Sequence, residues 1–160
     1  MKEYRQGAVG ALMDEYERVV GELAHVVETL SDDEYQQVRD TVTTDEACRS
    51  FRTILTHVIG AGYGYAGMMR DFWGVERVGR PDDVPTAAAA LDGLQSILAY
   101  MSETLDGHWD LSEEDSNAMK MPARWGPVYD FEQLFEHAIV HVMRHRRQVE
   151  RFLARDRATS

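Results

Sequence analysis

The sequence predicts an all-α protein, a four-helix bundle, and three observations carry that prediction. Apolar residues recur at helical spacing in four long stretches; capping signals and Pro/Gly-containing connections separate those stretches; and no repeat, low-complexity tract or flexible linker divides the chain. With 160 residues, 44% of them apolar, the chain is long enough to enclose one core without disulfides or a structural metal. A single domain over 1–160 is the expected organisation.

The first long helix is expected over about 3–30, where Leu12, Tyr16, Val19, Leu23, Val26, Val27 and Leu30 share one face. Ser31 with Glu34, and Thr43 with Glu46, have the spacing of a capping box, in which hydroxyl and carboxylate satisfy free amides reciprocally. They place a short helical turn near 32–38 and start a second long helix near 45. That helix carries Cys48, Phe51, Ile54, Leu55, Val58 and Ile59 on its apolar face, then enters Gly60-Ala-Gly-Tyr-Gly-Tyr-Ala-Gly67. Each glycine costs about 1 kcal/mol in a helix relative to alanine, so either the helix breaks there or the missing side chains serve a purpose. Gly74 to Asp83 suit a connection, and Pro85 suits the first turn of a third helix over about 84–105, with Leu91, Leu94, Ile97, Leu98, Met101 and Leu105 inward. From Asp106 to Val128 the chain turns polar and aromatic over a length greater than an ordinary helix–helix loop. Asp130 with Gln133 then caps a fourth long helix, which runs to about 154.

Charge and cysteine content narrow the chemistry. Against 28 Asp+Glu stand 17 Lys+Arg, a formal net charge of −11, so nucleic acid and anionic lipid are disfavoured partners. A basic run at the end, with Arg144, Arg146, Arg147, Arg151, Arg155 and Arg157, reads by default as a solvated helix end that complements the helix dipole. No apolar run approaches the roughly 20 residues of a membrane span, and Met1-Lys-Glu-Tyr-Arg5 lacks the apolar stretch of a signal peptide, so a cytoplasmic protein is expected. The lone Cys48 excludes an intramolecular disulfide and any cysteine-rich zinc or iron–sulfur site, and its default reading is a small buried hydrophobe. A bound metal would have to be held by histidine and carboxylate.

Histidine is concentrated where that requirement can be met. His137, His141 and His145 recur every four residues along one side of the fourth helix, and neighbouring pairs are close enough to chelate one ion. Such a pair needs a third ligand, which His57 supplies if the second helix packs beside the fourth. Three imidazoles leave positions open for water or substrate, the usual arrangement of a catalytic metal. Other metal signatures fail. No Glu follows the first histidine as a zincin requires, and Glu22-Leu-Ala-His25 is a single Glu-x-x-His where a di-metal carboxylate bundle needs two.

Ile54-Leu-Thr-His57-Val on the second helix, combined with His141-x3-His145-Arg-x-Gln148 on the fourth, resembles the DinB/YfiT-like family, and the resemblance spans essentially the whole chain. It implies a four-helix bundle with a long crossover connection, and one divalent ion held by His57, His141 and His145. His137 is then an extra, one turn earlier, which either takes the place of His141 or has a neighbouring or substrate-facing role. Zn, Ni, Fe(II) and Mn all suit three imidazoles. Relatives of this type include thiol-dependent S-transferases and a mycothiol-dependent isomerase, and commonly pair. The resemblance therefore implies a metal-dependent transferase or hydrolase for a small molecule, a thiol among the candidates, in a homodimer. The rival expectation is a non-catalytic helical binding or oligomerisation module whose histidines are structural. Gly60, Ala61 and Gly64 lie on the same side of the helix as His57, leaving space beside the metal or allowing close helix packing. Tyr65 is a pocket or core aromatic, Arg144, Arg146 and Arg147 are candidates to attract an anionic thiol or to complete a dimer contact, and Trp125 is a lid or a cap on the bundle end.

Overall fold

The computed structural model describes residues 3–159; Met1, Lys2 and Ser160 lie outside the described residues. Four long helices dominate, α1 (Gly7–Val27), α3 (Phe51–Trp73), α4 (Ala87–Thr104) and α6 (Phe131–Thr159), with short helices α2 (Asp32–Gln36) and α5 (Glu113–Ala118) between them. A two-stranded antiparallel ribbon, β1 (Met121–Pro122) with β2 (Val128–Tyr129), precedes α6. This is the expected helical bundle, and its apolar faces close on one core that includes Met13, Tyr16, Leu23, Phe51, Leu55, Leu94, Phe131 and Phe135.

Local chemistry sets the ends of the helices. Gly7 has φ +75°, a left-handed turn that folds the preceding segment back onto α1, so the helix begins there and not near residue 3. Arg5 then lies against Gly10, donates from Nη1 to Asp14 Oδ1 at 2.6 Å, and grips Glu17 with Nη1 and Nη2 together. Ser31 and Glu34 form the expected capping box. The box expected at Thr43 does not form. Asp45 instead caps a single 3₁₀ turn, Glu46–Cys48, and Ser50 with Thr53 caps α3, so the second long helix begins at Phe51 and Cys48 lies outside it. At the far end Gly74, with φ 69°, terminates α3, and the Val75 amide returns to the Arg70 carbonyl at 2.8 Å. Thr86 caps α4, which places Pro85 just before the helix and not in its first turn. Asp130 and Gln133 cap α6 reciprocally, as expected, and the helix continues to Thr159.

The packing order explains the connections. α1 lies against α4 and α6, and α3 lies against the same two helices. α3 runs antiparallel to α6, since Phe51 meets Phe152 at one end and Trp73 meets Phe131 at the other. It runs parallel to α4: Arg70 near its end binds Thr104 and Glu103 near the end of α4, and Thr56 near its start binds Val84 just before α4. Parallel neighbours require a crossover. The strap 75–86 supplies it, running back along α3, a helix of 23 residues and about 35 Å. Twelve extended residues reach about 40 Å, so the strap has little slack.

Glycines bring α3 and α4 together. A Cβ on Gly62 would lie 2.9–3.0 Å from three carbons of Ile97, and one on Gly93 would lie 2.5 Å from Ile59 Cδ1. A Cβ on Gly64 would meet nothing within 4 Å among the described residues. Gly62→Val should therefore overpack the α3–α4 interface and lower stability by about 1–3 kcal/mol, whereas Gly64→Ala should raise it by up to about 1 kcal/mol through helix propensity alone. Urea melts of the two variants beside the parent check both signs; equal effects would show that helix propensity, not packing, governs this stretch.

Candidate metal centre

His57 lies on α3, two turns in from the Ser50 cap, and His141 and His145 lie on the facing side of α6. One ligand atom from each of the three falls within 4.8 Å of the others. His57 Nε2 and His141 Nε2 are 2.9 Å apart, and the ring centroids are separated by 4.9 Å (His57–His141), 4.9 Å (His57–His145) and 4.6 Å (His141–His145). Tetrahedral coordination with metal–nitrogen bonds of about 2.0–2.1 Å places donors about 3.3 Å apart, so the cluster is of the right size to hold a first-row ion. His141 is buried at 6% exposure, His145 is half-buried, and His57 is exposed, which leaves one side of the cluster open to solvent.

Burial and mutual proximity keep these rings neutral. His141 is pushed down to about 3, chiefly by burial and then by the neighbouring imidazoles and Arg144. His57 and His145 are lowered as well, by burial first, with Asp45 opposing the shift at both. Neutral imidazole is the form that offers a lone pair to a cation. Gln148, one turn beyond His145, holds its Oε1 3.1 Å from His145 Nδ1; accepting that N–H fixes the tautomer that leaves Nε2 free for a ligand. Among the described residues His141 Nδ1 is buried without any hydrogen-bond partner. If that nitrogen carries the proton, the lone pair of His141 points from Nε2 into the cluster.

His137 does not join the three. It sits among aromatic rings, 5.5 Å from Tyr65, 5.7 Å from Trp125 and 5.4 Å from Tyr129, and its own ring is 6.4 Å from His141. Tyr129 Oη lies 3.5 Å from His137 Nδ1 and accepts a hydrogen bond of 3.2 Å from Trp125 Nε1. Trp125 thus leans on the flank of the cluster from the tip of the β1–β2 ribbon, and does not cap the bundle end. Tyr65, buried and 5.6 Å from the His141 ring, is pushed up to about 12 by burial, so it keeps its phenolic proton at neutral pH.

The remaining candidates separate into structural and local roles. His25 is solvated beside Glu28, and Glu22 pairs with Arg18 and Arg146, so the Glu22-x-x-His25 match holds nothing. His108 stacks on Trp73 at 3.7 Å. Arg146 is an α1–α6 tie through Glu22, with Glu150 beside it, and is not a substrate-facing cation. Cys48 is only half-buried, and its thiol lies 3.3 Å from Asp45 Oδ2; burial pushes the thiol up. The histidine-rich run did not reveal Tyr129, Asp45 or Arg80. Gln148 was legible, as the residue three beyond His145.

Comparison with known proteins places the chain in a family. The model of the DinB superfamily matches residues 15–149, a span that contains all three clustered histidines, and the chain belongs to that superfamily. Among solved structures it is similar to the crystal structure of a mycothiol-dependent maleylpyruvate isomerase, with a TM-score of 0.57 and 12% identity, covering 93% of this chain and 63% of that one. The chain therefore spans less than two-thirds of the length of that protein. No curated protein matches it. Among the described residues no helix is long and apolar enough to cross a membrane.

The lowered imidazoles have a consequence for stability. In the unfolded chain a histidine takes a proton near pH 6.5, whereas in the folded protein His141 resists protonation down to about 3. Below about pH 6.5 the unfolded state thus binds more protons, and stability falls as pH falls, by up to about 1.4 kcal/mol per pH unit for each such group. Metal-stripped protein should lose stability between pH 7 and pH 5 in urea melts, and His141→Phe should flatten that slope; an unchanged slope would mean that His141 titrates normally.

Proposed function

We propose that His57, His141 and His145 hold one divalent transition metal and that the protein is a metal-dependent enzyme acting on a small molecule. The observation that carries this reading is the convergence of three neutral imidazoles from two helices within 4.8 Å, with one side open to solvent. An open-sided three-histidine ion supplies Lewis acidity and can activate a bound thiol or water. Both thiol S-transfer and hydrolysis suit it. The similarity to a protein named as mycothiol-dependent supports a thiol as the substrate class.

The residues around the cluster have separable tasks. Gln148 orients His145, and Tyr65, Trp125, Tyr129 and His137 wall one flank. Tyr65, neutral at physiological pH, can donate a hydrogen bond to a bound anion but does not act as a base there. We further infer that the chain from 1 to 160 works as a single unit.

One contact favours the rival reading of a helical module with structural histidines. The 2.9 Å separation of His57 and His141 is also a good hydrogen bond between two neutral rings. Elemental analysis of tag-free protein purified without chelator separates the two. The metal reading expects near one equivalent of a transition metal, lost in His141→Ala/His145→Ala, and a melting temperature that drops on chelation because a ligand of the folded state is removed. Gln148→Leu should weaken metal affinity by about 10–100-fold while the protein stays folded. Absence of metal even after reconstitution, with melting indifferent to chelator, would establish the structural reading instead.

A further inference from the structure

The strap 75–86 sets two arginines into two gaps on one face of α3. Arg77 Nη1 lies 3.1 Å from where a Cβ on Gly67 would sit, and Arg80 Nη1 lies 3.3 Å from where a Cβ on Gly60 would sit. Seven residues separate the glycines, two helical turns, so the guanidinium groups lie along the same side of the helix. Their surroundings differ. Arg77 is neutralised by a bidentate pair with Asp71. Arg80, one turn from His57, makes no hydrogen bond or ion pair among the described residues, although its charge is felt at His57.

The strap holds Arg80 in place on both sides. Before it, the Val78 amide donates to Tyr100 Oη at 3.0 Å; after it, Arg52 pairs with Asp83 and the Val84 amide donates to Thr56 Oγ1 at 3.1 Å. From α6, Arg144 stands between His141 and His145, exposed, with its charge felt at Tyr65, His137, His141 and His145. Its helical neighbours at i±3 and i±4 are Val140, His141, Arg147 and Gln148, none of them a carboxylate. In a chain of net charge −11, Arg5, Arg18, Arg39, Arg49, Arg52, Arg70, Arg77, Arg146 and Arg155 are all matched with acids. Asp45, the carboxylate whose charge reaches His57 and His145, is already engaged by the Ala47 amide and the Cys48 thiol.

We propose that Arg80 and Arg144 form an anion clamp at the mouth of the three-histidine cluster, selecting small substrates that carry a carboxylate. Guanidinium is suited to that group, because its fork of donors matches the two carboxylate oxygens and does not lose its charge. The inference rests on the metal reading and names the substrate class for that same site.

Cobalt(II)-substituted protein tests it without any assay of activity. Mercaptoacetate and mercaptoethanol both present a thiol, and only the first presents a carboxylate; the sulfur-to-cobalt absorption band reports binding of each. Parent protein should bind mercaptoacetate about tenfold more tightly than mercaptoethanol at low salt. In Arg80→Gln/Arg144→Gln that ratio should fall to near one, the larger loss falling on mercaptoacetate. Arg157→Gln, at the far end of α6, should leave the preference intact. A normal cobalt spectrum with no carboxylate preference, or a preference that survives the double substitution or is equally lost in Arg157→Gln, overturns the clamp alone. Failure of cobalt to bind overturns the metal reading, and the clamp with it.

Discussion

The antiparallel contact between α3 and α6 decides where the three imidazoles meet, and it is made by apolar residues that have no chemistry of their own. Phe51 at the start of α3 packs on Phe152 near the end of α6, with ring centroids 6.1 Å apart. Six residues along α3 from Phe51 is a rise of about 9 Å and brings the chain to His57; seven residues back along α6 from Phe152 is about 10 Å and brings it to His145. In an antiparallel pair those two points fall at one level. Around it Leu55 and Val58 on α3, and Ala138, Val142 and Val149 on α6, are buried in the same core. A slip of one turn along either helix would move its histidine about 5 Å and separate the donors.

The same contact makes the cluster expensive for the fold. Burying His141 leaves its Nδ1 without a hydrogen-bond partner among the described residues, a cost of about 1–3 kcal/mol for a buried polar group, and the lowered affinity of all three rings for protons weakens the protein in acid. A residue kept for packing would be apolar here. An imidazole at that position is accounted for by what its other nitrogen faces, two more imidazoles and an open side. On the metal reading proposed above, that stability is given up for a lone pair aimed at the ion, and the surrounding core is what tolerates it.

How much of this was legible in the sequence follows from how local each signal is. Helix faces, the Ser31 and Asp130 caps and the Gly74 stop are set by residues within one turn of each other, and they stand where the sequence puts them. The i, i+4 spacing of His141 and His145 is equally local; choosing His57 as the partner needed the packing of two helices or a family resemblance. Starts of helices were less legible where two caps compete. Thr43 and Ser50 both precede acceptable helical residues, and the chain uses Ser50, because Asp45 ties the intervening residues into a 3₁₀ turn. The 106–128 stretch was readable only as a long polar and aromatic connection, since two-residue strands and a six-residue helix are too short to leave a period. His137 could not be told from a ligand by spacing, because the three rings that enclose it come from α3 and the β1–β2 ribbon.

The glycine-rich stretch of α3 is where sequence and structure differ most in meaning. Close packing of helices and open space beside a metal were the two expected uses, and the four glycines divide among more than two. Gly62 admits Ile97 of α4, Gly60 and Gly67 admit arginines of the strap, and Gly64 admits nothing. One cause underlies the first three. A crossover that returns along α3 must share that helix's surface with α4, and α3 can be approached so closely on two sides only where it lacks Cβ atoms. The topology therefore dictates where small residues are needed, and in doing so it seats a cation one turn from His57. An antiparallel α3–α4 pair joined by a short hairpin would need no strap and would bring no arginine there. The charge environment of the histidine cluster is in this sense a product of the crossover, set by the path of the chain as much as by the residues of the cluster itself.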